Sequence, residues 1–290
     1  LHKSDSLSFD RLIDFPLSLG ESPVWDSDRQ LLWFVDSLRP ALFSLDPATR
    51  AVTAYEMPAT IGSAGLTVDG RLVVALRTGV HLFDPGTRQL DFLVHPEPDV
   101  PVNRLNDGKV GPDGCFWVGS MHEAKPRQPT GALYRVTPTG EVTKIASDLL
   151  VSNGLAWSPD GRIMYHADTG LPSVAAYDFD PDCGAVGGRH VIAAPDGKAE
   201  GLPDGAATDV EGFYWSAGVS AGRLNRISPE GRIVTSMTVP MTAPTMPCFG
   251  GQDMRTMFLT SITRGEAPNS AGTLISCRVG VPGVPVARFG

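Results

Sequence analysis

Residues 111–120, "GPDGCFWVGS", decide the fold. An Asp-Gly turn feeds directly into aromatic and β-branched residues, the pattern of a tight turn opening a buried strand. The same unit recurs as "DSDRQLLWFVDS", "TVDGRLVVAL", "SPDGRIMYHAD", "DVEGFYWSAG" and "GQDMRTMFLTS". With Leu31, Arg71, Cys115, Arg162, Phe213 and Thr256 as anchors, the successive intervals are 40, 44, 47, 51 and 43 residues. That is the period of a four-stranded propeller blade. A β-sandwich also has short strands and regular turns, but it does not repeat one long unit six times.

A second strand follows in each unit: "ALFSLDP", "GVHLFDP", "GALYRVTP", "SVAAYDFDP", "GRLNRISP" and "GTLISCRV". Several close on Asp-Pro or a similar pair, which ends a strand by removing a ladder N–H. A further edge strand completes most units, as in "QLDFLVHP", "EVTKIASDL" and "GRIVTSMTVP". The sixth unit lacks one, because its tail "VGVPGVPVARFG" is broken by Pro and Gly. Conversely, "LSFDRLIDFPL" near the start reads as a strand with no blade of its own. It is expected to complete the last blade, closing the ring and covering both open edges. The expectation is an all-β chain, a single six-bladed β-propeller over residues 1–290.

Composition sets the remaining bounds. The 290 residues are 42% hydrophobic and 19% charged, enough for a large core, with a net charge of −8. There is no run of Lys and Arg to neutralise phosphates, which argues against nucleic acid. No apolar run is long enough to cross a bilayer, and "LHKSDSLSFD" lacks the apolar core of a signal peptide. A cytoplasmic monomer without a membrane partner is expected, although a cleaved signal is compatible with a chain that begins without Met. Cys115, Cys183, Cys248 and Cys277 are widely spaced with no C-x-x-C pair, and read as buried, reduced thiols.

Polar residues fall in register. In a propeller the first strand of each blade lines the channel and starts at one mouth. Counting back nine residues from the anchors, or ten in the first blade with its longer turn, gives Glu21, Gly62, Asn106, Asn153, Asp204 and Pro247. Asn-Gly and Asp-Gly alone signify turns, but turn chemistry does not demand a shared offset in different blades. "APDG" at residues 194–197 lies off register and reads as a plain loop. Four oxygen-bearing side chains converging near an axis are costly to bury unpaired. One divalent cation would satisfy them together, and oxygen ligands suit calcium or magnesium.

These segments resemble the SMP-30/gluconolactonase family of regucalcins and sugar lactonases. The matching stretches are "LGESPVWD", "NRLNDGKVGPDGCFWVGSM", "GALYRV", "SNGLAWSPDG", "GLPDGAATDVEGFYWSA" and "PCFGG", in family order over almost the whole chain. "GSMHEAK", "GALYRV" and "MYHADT" look closest to the bacterial branch with xylonolactonases and arabinolactonases. The resemblance implies a six-bladed propeller holding one divalent ion through Glu21, Asn153 and Asp204. It implies Arg104 and Asn106 as a substrate-binding pair, Asn106 also touching a water on the ion. Calcium is favoured, with magnesium, manganese, zinc or iron(II) compatible. The implied partner is a small sugar lactone, and Asp204 is the candidate general base or the group that orients the attacking water.

His122 and Glu123 follow a strand of the third unit and read either as a solvated loop or as substrate contacts over the mouth. Asp168, two residues after His166, is a candidate rim contact. His81 reads as a satisfied structural histidine, and Asp209 as turn chemistry. Trp33, Trp117, Trp157 and Trp215 read as packing between blades. Cys248 has no motif-level His partner and reads as packing rather than a nucleophile. Three functions compete: a metal-dependent hydrolase of aldonolactones, a non-catalytic calcium-binding scaffold, and a propeller esterase or phosphotriesterase. Arg104 and Asn106 favour the first, since ion binding alone needs no donors aimed at a sugar.

Overall fold

Burial falls from the inner strand of each repeat to the outer one. Ile61–Leu66 and Ser152–Trp157 are buried at every residue, whereas Val52–Glu56 and Val186–Ala193 are mostly exposed. Radial stacking produces that gradient, because inner strands are pressed between neighbouring sheets while outer strands form the rim. A computed structural model describes residues 7–265 and 270–290. Among these the strands form six four-stranded antiparallel sheets, the blades of a six-bladed β-propeller. Blade 1 runs outward through Gly20–Asp26, Leu31–Asp36, Ala41–Leu45 and Val52–Glu56. The inner strands of blades 2 to 6 are Ile61–Leu66, Asn103–Val110, Ser152–Trp157, Pro203–Thr208 and Pro244–Gly250.

The ring closes as the unpaired N-terminal strand suggested. In blade 6 the outermost strand is Phe9–Arg11, with Phe9 opposite Cys277 and Arg11 opposite Ile275 on Leu274–Arg278. The chain before residue 7 lies outside the described residues.

Aromatic side chains fill the wedges between blades. Trp117 of blade 3 meets Trp157 of blade 4 edge-on at 6.0 Å, and Trp215 of blade 5 meets Phe249 of blade 6 at 5.8 Å. Trp33 packs with Ile61 and Leu72 of blade 2. The tryptophans thus hold blades together, as expected. Asp209 also behaves as turn chemistry, accepting from the backbone of Glu211 and Phe213, but it additionally anchors Trp215 Nε1 at 2.8 Å.

Four details differ from the sequence reading. All four cysteines are free, yet Cys183 is exposed rather than buried. His81 is buried with Nε2 3.0 Å from Thr78 Oγ1, but its Nδ1 has no partner, so it is only half satisfied. Asp196 of "APDG" caps a π-helical turn, Gly197–Gly201, by accepting from Lys198 and Ala199. The broken tail is not idle. It bridges Asp209 to Gly283 and Thr67 to Phe289, crossing from blade 5 to blade 2. There it borders a 260 Å³ cavity whose lining includes Pro247, Trp157 and Lys109.

Candidate active site

Every inner strand slips register against its neighbour close to its start. The slips fall between Glu21 and Val24, Ile61 and Ser63, Leu105 and Gly108, Asn153 and Ala156, Pro203 and Ala206, and Pro244 and Pro247. A bulge leaves residues unpaired, bends the strand and re-aims a side chain. Asn153 shows why Asn-Gly stands at this point. Gly154 adopts φ +66, and a Cβ on it would lie 2.3 Å from Tyr214 Oη. The pair forms a bulge inside a strand, not a turn. Ser22, directly after Glu21, takes the same left-handed conformation with φ +47 and is held by Ala64 N–H donating to its hydroxyl at 2.9 Å.

The bulges also correct one position. In the pairing frame Asp204 follows Pro203, which faces Gly218, and Thr245 follows Pro244, which faces Ser261. The sixth equivalent position is therefore Thr245. Pro247 lies beyond the bulge and lines the cavity at the tail end of the channel. Counting back nine residues failed there because the hairpin beyond the bulge is longer in blade 6, where Pro247 pairs with Leu259, than in blade 5, where Ala206 pairs with Ser216.

At the mouth, side chains from adjacent blades meet. Arg104 Nη1 donates to Asn106 Oδ1 at 2.7 Å and to Leu105 O at 3.0 Å. Asn106 Nδ2 donates to Asn153 Oδ1 and to Ser152 O, each at 2.9 Å. Asn153 Nδ2 donates to Thr169 Oγ1 at 2.7 Å, and that hydroxyl donates to Pro203 O at 2.6 Å, next to Asp204. The amide of Asn153 is thus oriented from both sides, with its oxygen turned toward blade 3. Asn106 differs, since its own oxygen is engaged by Arg104. Among the described residues Asn153 Oδ1 accepts only from Asn106 Nδ2, and the Glu21 and Asp204 carboxyls act on each other close by.

The carboxylates are strained electrostatically. Burial, with the Asp107 carboxyl close by, pushes Asp204 up to about 8. Burial and then the Asp204 and Asp107 carboxyls raise Glu21 well above the usual carboxylate range. Arg104 and Arg264 pull Asp204 the other way. Two mutually repelling carboxylates with an oriented amide oxygen make a donor set suited to a hard divalent cation. Among the described residues no group of three or more His, Cys, Asp or Glu could hold a metal by itself.

The surrounding candidates have partners of their own. His122 is half-buried with Nδ1 2.9 Å from Ala124 O. Glu123 forms an ion pair with Arg77 of blade 2. Asp168 is no rim contact, because its oxygens accept the backbone N–H groups of Leu150, Val151 and Gly170. Cys248 is buried, and burial pushes its thiol up to about 12, which fits packing and not nucleophilic attack.

Residues 19–263 match the family model described as SMP-30/gluconolactonase/LRE-like region. The chain belongs to that family. It is 37% identical to a 6-deoxy-6-sulfogluconolactonase of Pseudomonas putida, over 94% of this chain and 96% of the relative. It is 32% identical to regucalcin of Xenopus laevis, over 98% of this chain and 99% of the relative. A crystal structure of a calcium-binding protein, regucalcin, from Agrobacterium tumefaciens superposes with a TM-score of 0.92 at 27% identity, covering 98% of both chains.

In this SMP-30 chain the sequence reading overlooked several charged residues. Asp107 is buried behind the site, with Oδ2 accepting from Leu155 N at 3.2 Å and Oδ1 without a partner. Its Asp-Gly reads as a turn, yet it lies within the continuous strand Asn103–Val110. Lys109, two residues on, donates to Ala206 O at 2.6 Å and faces Asp107. Arg127 and Arg264 sit on connecting segments, where no periodicity flags them.

Proposed function

We propose that the chain is a lactonase that opens a sugar-derived aldonolactone to its aldonic acid, dependent on a divalent cation held by Glu21, Asn153 and Asp204. One observation carries the reading: two carboxylates and an oriented amide oxygen meet at one mouth of the channel, with the Arg104 and Asn106 pair beside them. A relative named for a sulfogluconolactone at 37% identity supports a lactone as substrate. The calcium-binding regucalcin supports the cation, calcium first.

The bound cation would polarise the lactone carbonyl and stabilise the charge that grows on its oxygen. The residues of the chain do the rest. Arg104 keeps Nη1 on Asn106, leaving Nε and Nη2 for the hydroxyl or ring oxygens of the substrate. Asp204 takes the proton of the attacking water as its oxygen bonds to the carbonyl carbon. It returns that proton to the ring oxygen as the C–O bond breaks. A carboxylate whose proton affinity is raised by burial is a better base than an exposed one, and a nearby cation draws that affinity back down. The proposed balance between the two sets the working pH.

A pH-stat assay on glucono-, xylono- and arabinonolactone, with and without chelator, tests the reading. Acid release above the spontaneous rate, abolished by chelator and restored by calcium or another divalent ion, is expected. No enzyme-dependent acid release from any of them would overturn it. A scaffold that only binds calcium would also leave Arg104 without a task.

A further inference from the structure

We propose that Arg127, together with Arg104, forms an anion-binding subsite at the mouth, so that the preferred lactone carries an acidic substituent remote from its carbonyl. The inference rests on the lactonase reading of this mouth and adds the substrate class.

The loop after Phe116–His122 supplies the first observation. Ala124, Lys125, Pro126, Gln128, Pro129 and Thr130 are all exposed, and Arg127 alone in that stretch is half-buried. Loops place charged side chains in water unless something inward holds them. Lys125, two residues earlier, follows that rule and Arg127 does not. Its guanidinium folds back under the loop and donates through Nη1 to the carbonyls of His122 and Glu123.

Those carbonyls sit beside the proposed site. His122 pairs with Asn103, and Met121 pairs with Arg104 on the inner strand of blade 3. Glu123 N donates to Val102 O at 3.0 Å, and Asn103 Nδ2 donates to Thr130 O at 2.9 Å, so both ends of the loop are fixed over that strand. Arg127 is therefore held above Arg104 by an anchored loop.

The second observation is the missing counter-charge. The loop contains one carboxylate, Glu123, and it is drawn away to Arg77. Among the described residues Arg127 enters no ion pair and has only backbone carbonyls as acceptors. Burial lowers its proton affinity, and no carboxylate among the described residues opposes that. Arg104 is held down at about 10, by burial first and by the Arg127 charge second. Glu21 and Asp204 attract Arg104 from the ion side, but among the described residues nothing comparable faces Arg127. Two guanidiniums gathered in a chain of net charge −8 make a fork for an anion. A sulfonate, phosphate or carboxylate at the end of the sugar opposite the carbonyl has that chemistry.

The test is the ratio of kcat/KM for an acidic lactone to that for gluconolactone, with the spontaneous rate subtracted. The acidic probes are 6-deoxy-6-sulfogluconolactone, 6-phosphogluconolactone and glucarolactone, which separate the three anions. The wild type should favour at least one acidic lactone, and Arg127→Gln should lower that ratio by about 10- to 100-fold. Arg127→Lys, keeping the charge without the fork, should fall between. Melting curves of both variants verify that they fold. A ratio unchanged in Arg127→Gln would overturn the proposal.

A second readout does not depend on turnover. In calorimetry the wild type should bind 6-deoxy-6-sulfogluconate more tightly than gluconate, and Arg127→Gln should erase the difference. Binding of 6-deoxy-6-sulfogluconate, 6-phosphogluconate and glucarate no tighter than that of gluconate by the wild type would sink the subsite. Absence of turnover on every lactone, with the binding difference intact, would sink the lactonase reading instead.

Discussion

Asn106 reaches across the gap between blades 3 and 4 to donate to Asn153, Nδ2 to Oδ1, at 2.9 Å. The oxygen it holds is the one proposed to face the cation, and Thr169 fixes the other end of the same amide at 2.7 Å. Orientation of a ligand by its neighbours is worth about 10- to 100-fold in metal affinity. Asn153→Ala should therefore abolish stoichiometric calcium binding, and Thr169→Val should weaken it by about 10-fold while leaving the ligand set intact. Isothermal titration of chelator-stripped protein measures both. Wild-type affinity in Asn153→Ala would remove that residue from the site.

Asp204 should show opposite effects on activity and stability. Asp204→Asn keeps the shape and an oxygen but removes the negative charge of a proposed ligand and the base, so kcat should fall by about 10³-fold or more. Stability runs the other way. In the folded chain without a cation the Asp204 proton is kept up to about 8, whereas an unfolded aspartate loses it near 3.8. The folded state thus binds more protons between those values, and its stability falls as pH rises through that window. Metal-free wild type should melt lower at pH 8 than at pH 5, and Asp204→Asn should lose part of that slope, the raised Glu21 and Asp107 carboxyls carrying the rest. Parallel melting curves with the chelator present decide it. A steeper slope in the variant would contradict the electrostatics described for the mouth.

Much of the arrangement was legible because it repeats. The anchors Leu31 to Thr256 located the blades, and an offset of nine residues, ten in the first blade, reached Glu21, Asn106, Asn153 and Asp204 without reference to contacts. The fold then followed from the unpaired strand at Phe9–Arg11. What failed did so for local reasons. Pro247 was misplaced because the hairpin joining the first two strands of blade 6 is longer than that of blade 5, Pro247 facing Leu259 where Ala206 faces Ser216, and a constant count cannot see a longer hairpin. Asp107 was hidden because Asp-Gly means a turn in most contexts, and only pairing with the next strand shows it mid-strand. Arg127 and Arg264 belong to segments with no period, so their direction is set by tertiary contacts alone.

His166 gives a pH dependence separate from the proposed site chemistry. It is 3% exposed, with Nε2 2.8 Å from Ser152 Oγ. Burial, followed by the Arg189 charge, lowers it from 6.5 to about 4. A histidine depressed in the fold is protonated first in the unfolded chain, so stability is whole above pH 6.5 and drains away toward pH 4. The full shift corresponds to about 3 kcal/mol. Urea midpoints should drop between pH 7 and pH 4.5, and His166→Gln should flatten that drop. Equal slopes for the two proteins would show that other groups carry the acid sensitivity.

Closure of the ring by the N-terminal strand carries a mechanical consequence. Phe9–Arg11 covers the open side of Leu274–Arg278, and Leu7 and Phe9 pack against the core shared by blades 5 and 6. Deleting residues 1–11 leaves blade 6 with three strands and an unpaired edge. Unpaired edges recruit other chains, so the truncated protein should associate as its concentration rises. The lost pairing and burial should lower the melting temperature by about 10 °C. Adding the peptide 1–14 in excess should restore part of it, because the edge it vacated accepts a strand in trans. Light scattering and melting curves of the truncated chain, alone and with peptide, read both effects. A truncated protein that associates no more than the full chain and melts with it would mean that the inner strands alone hold the ring shut.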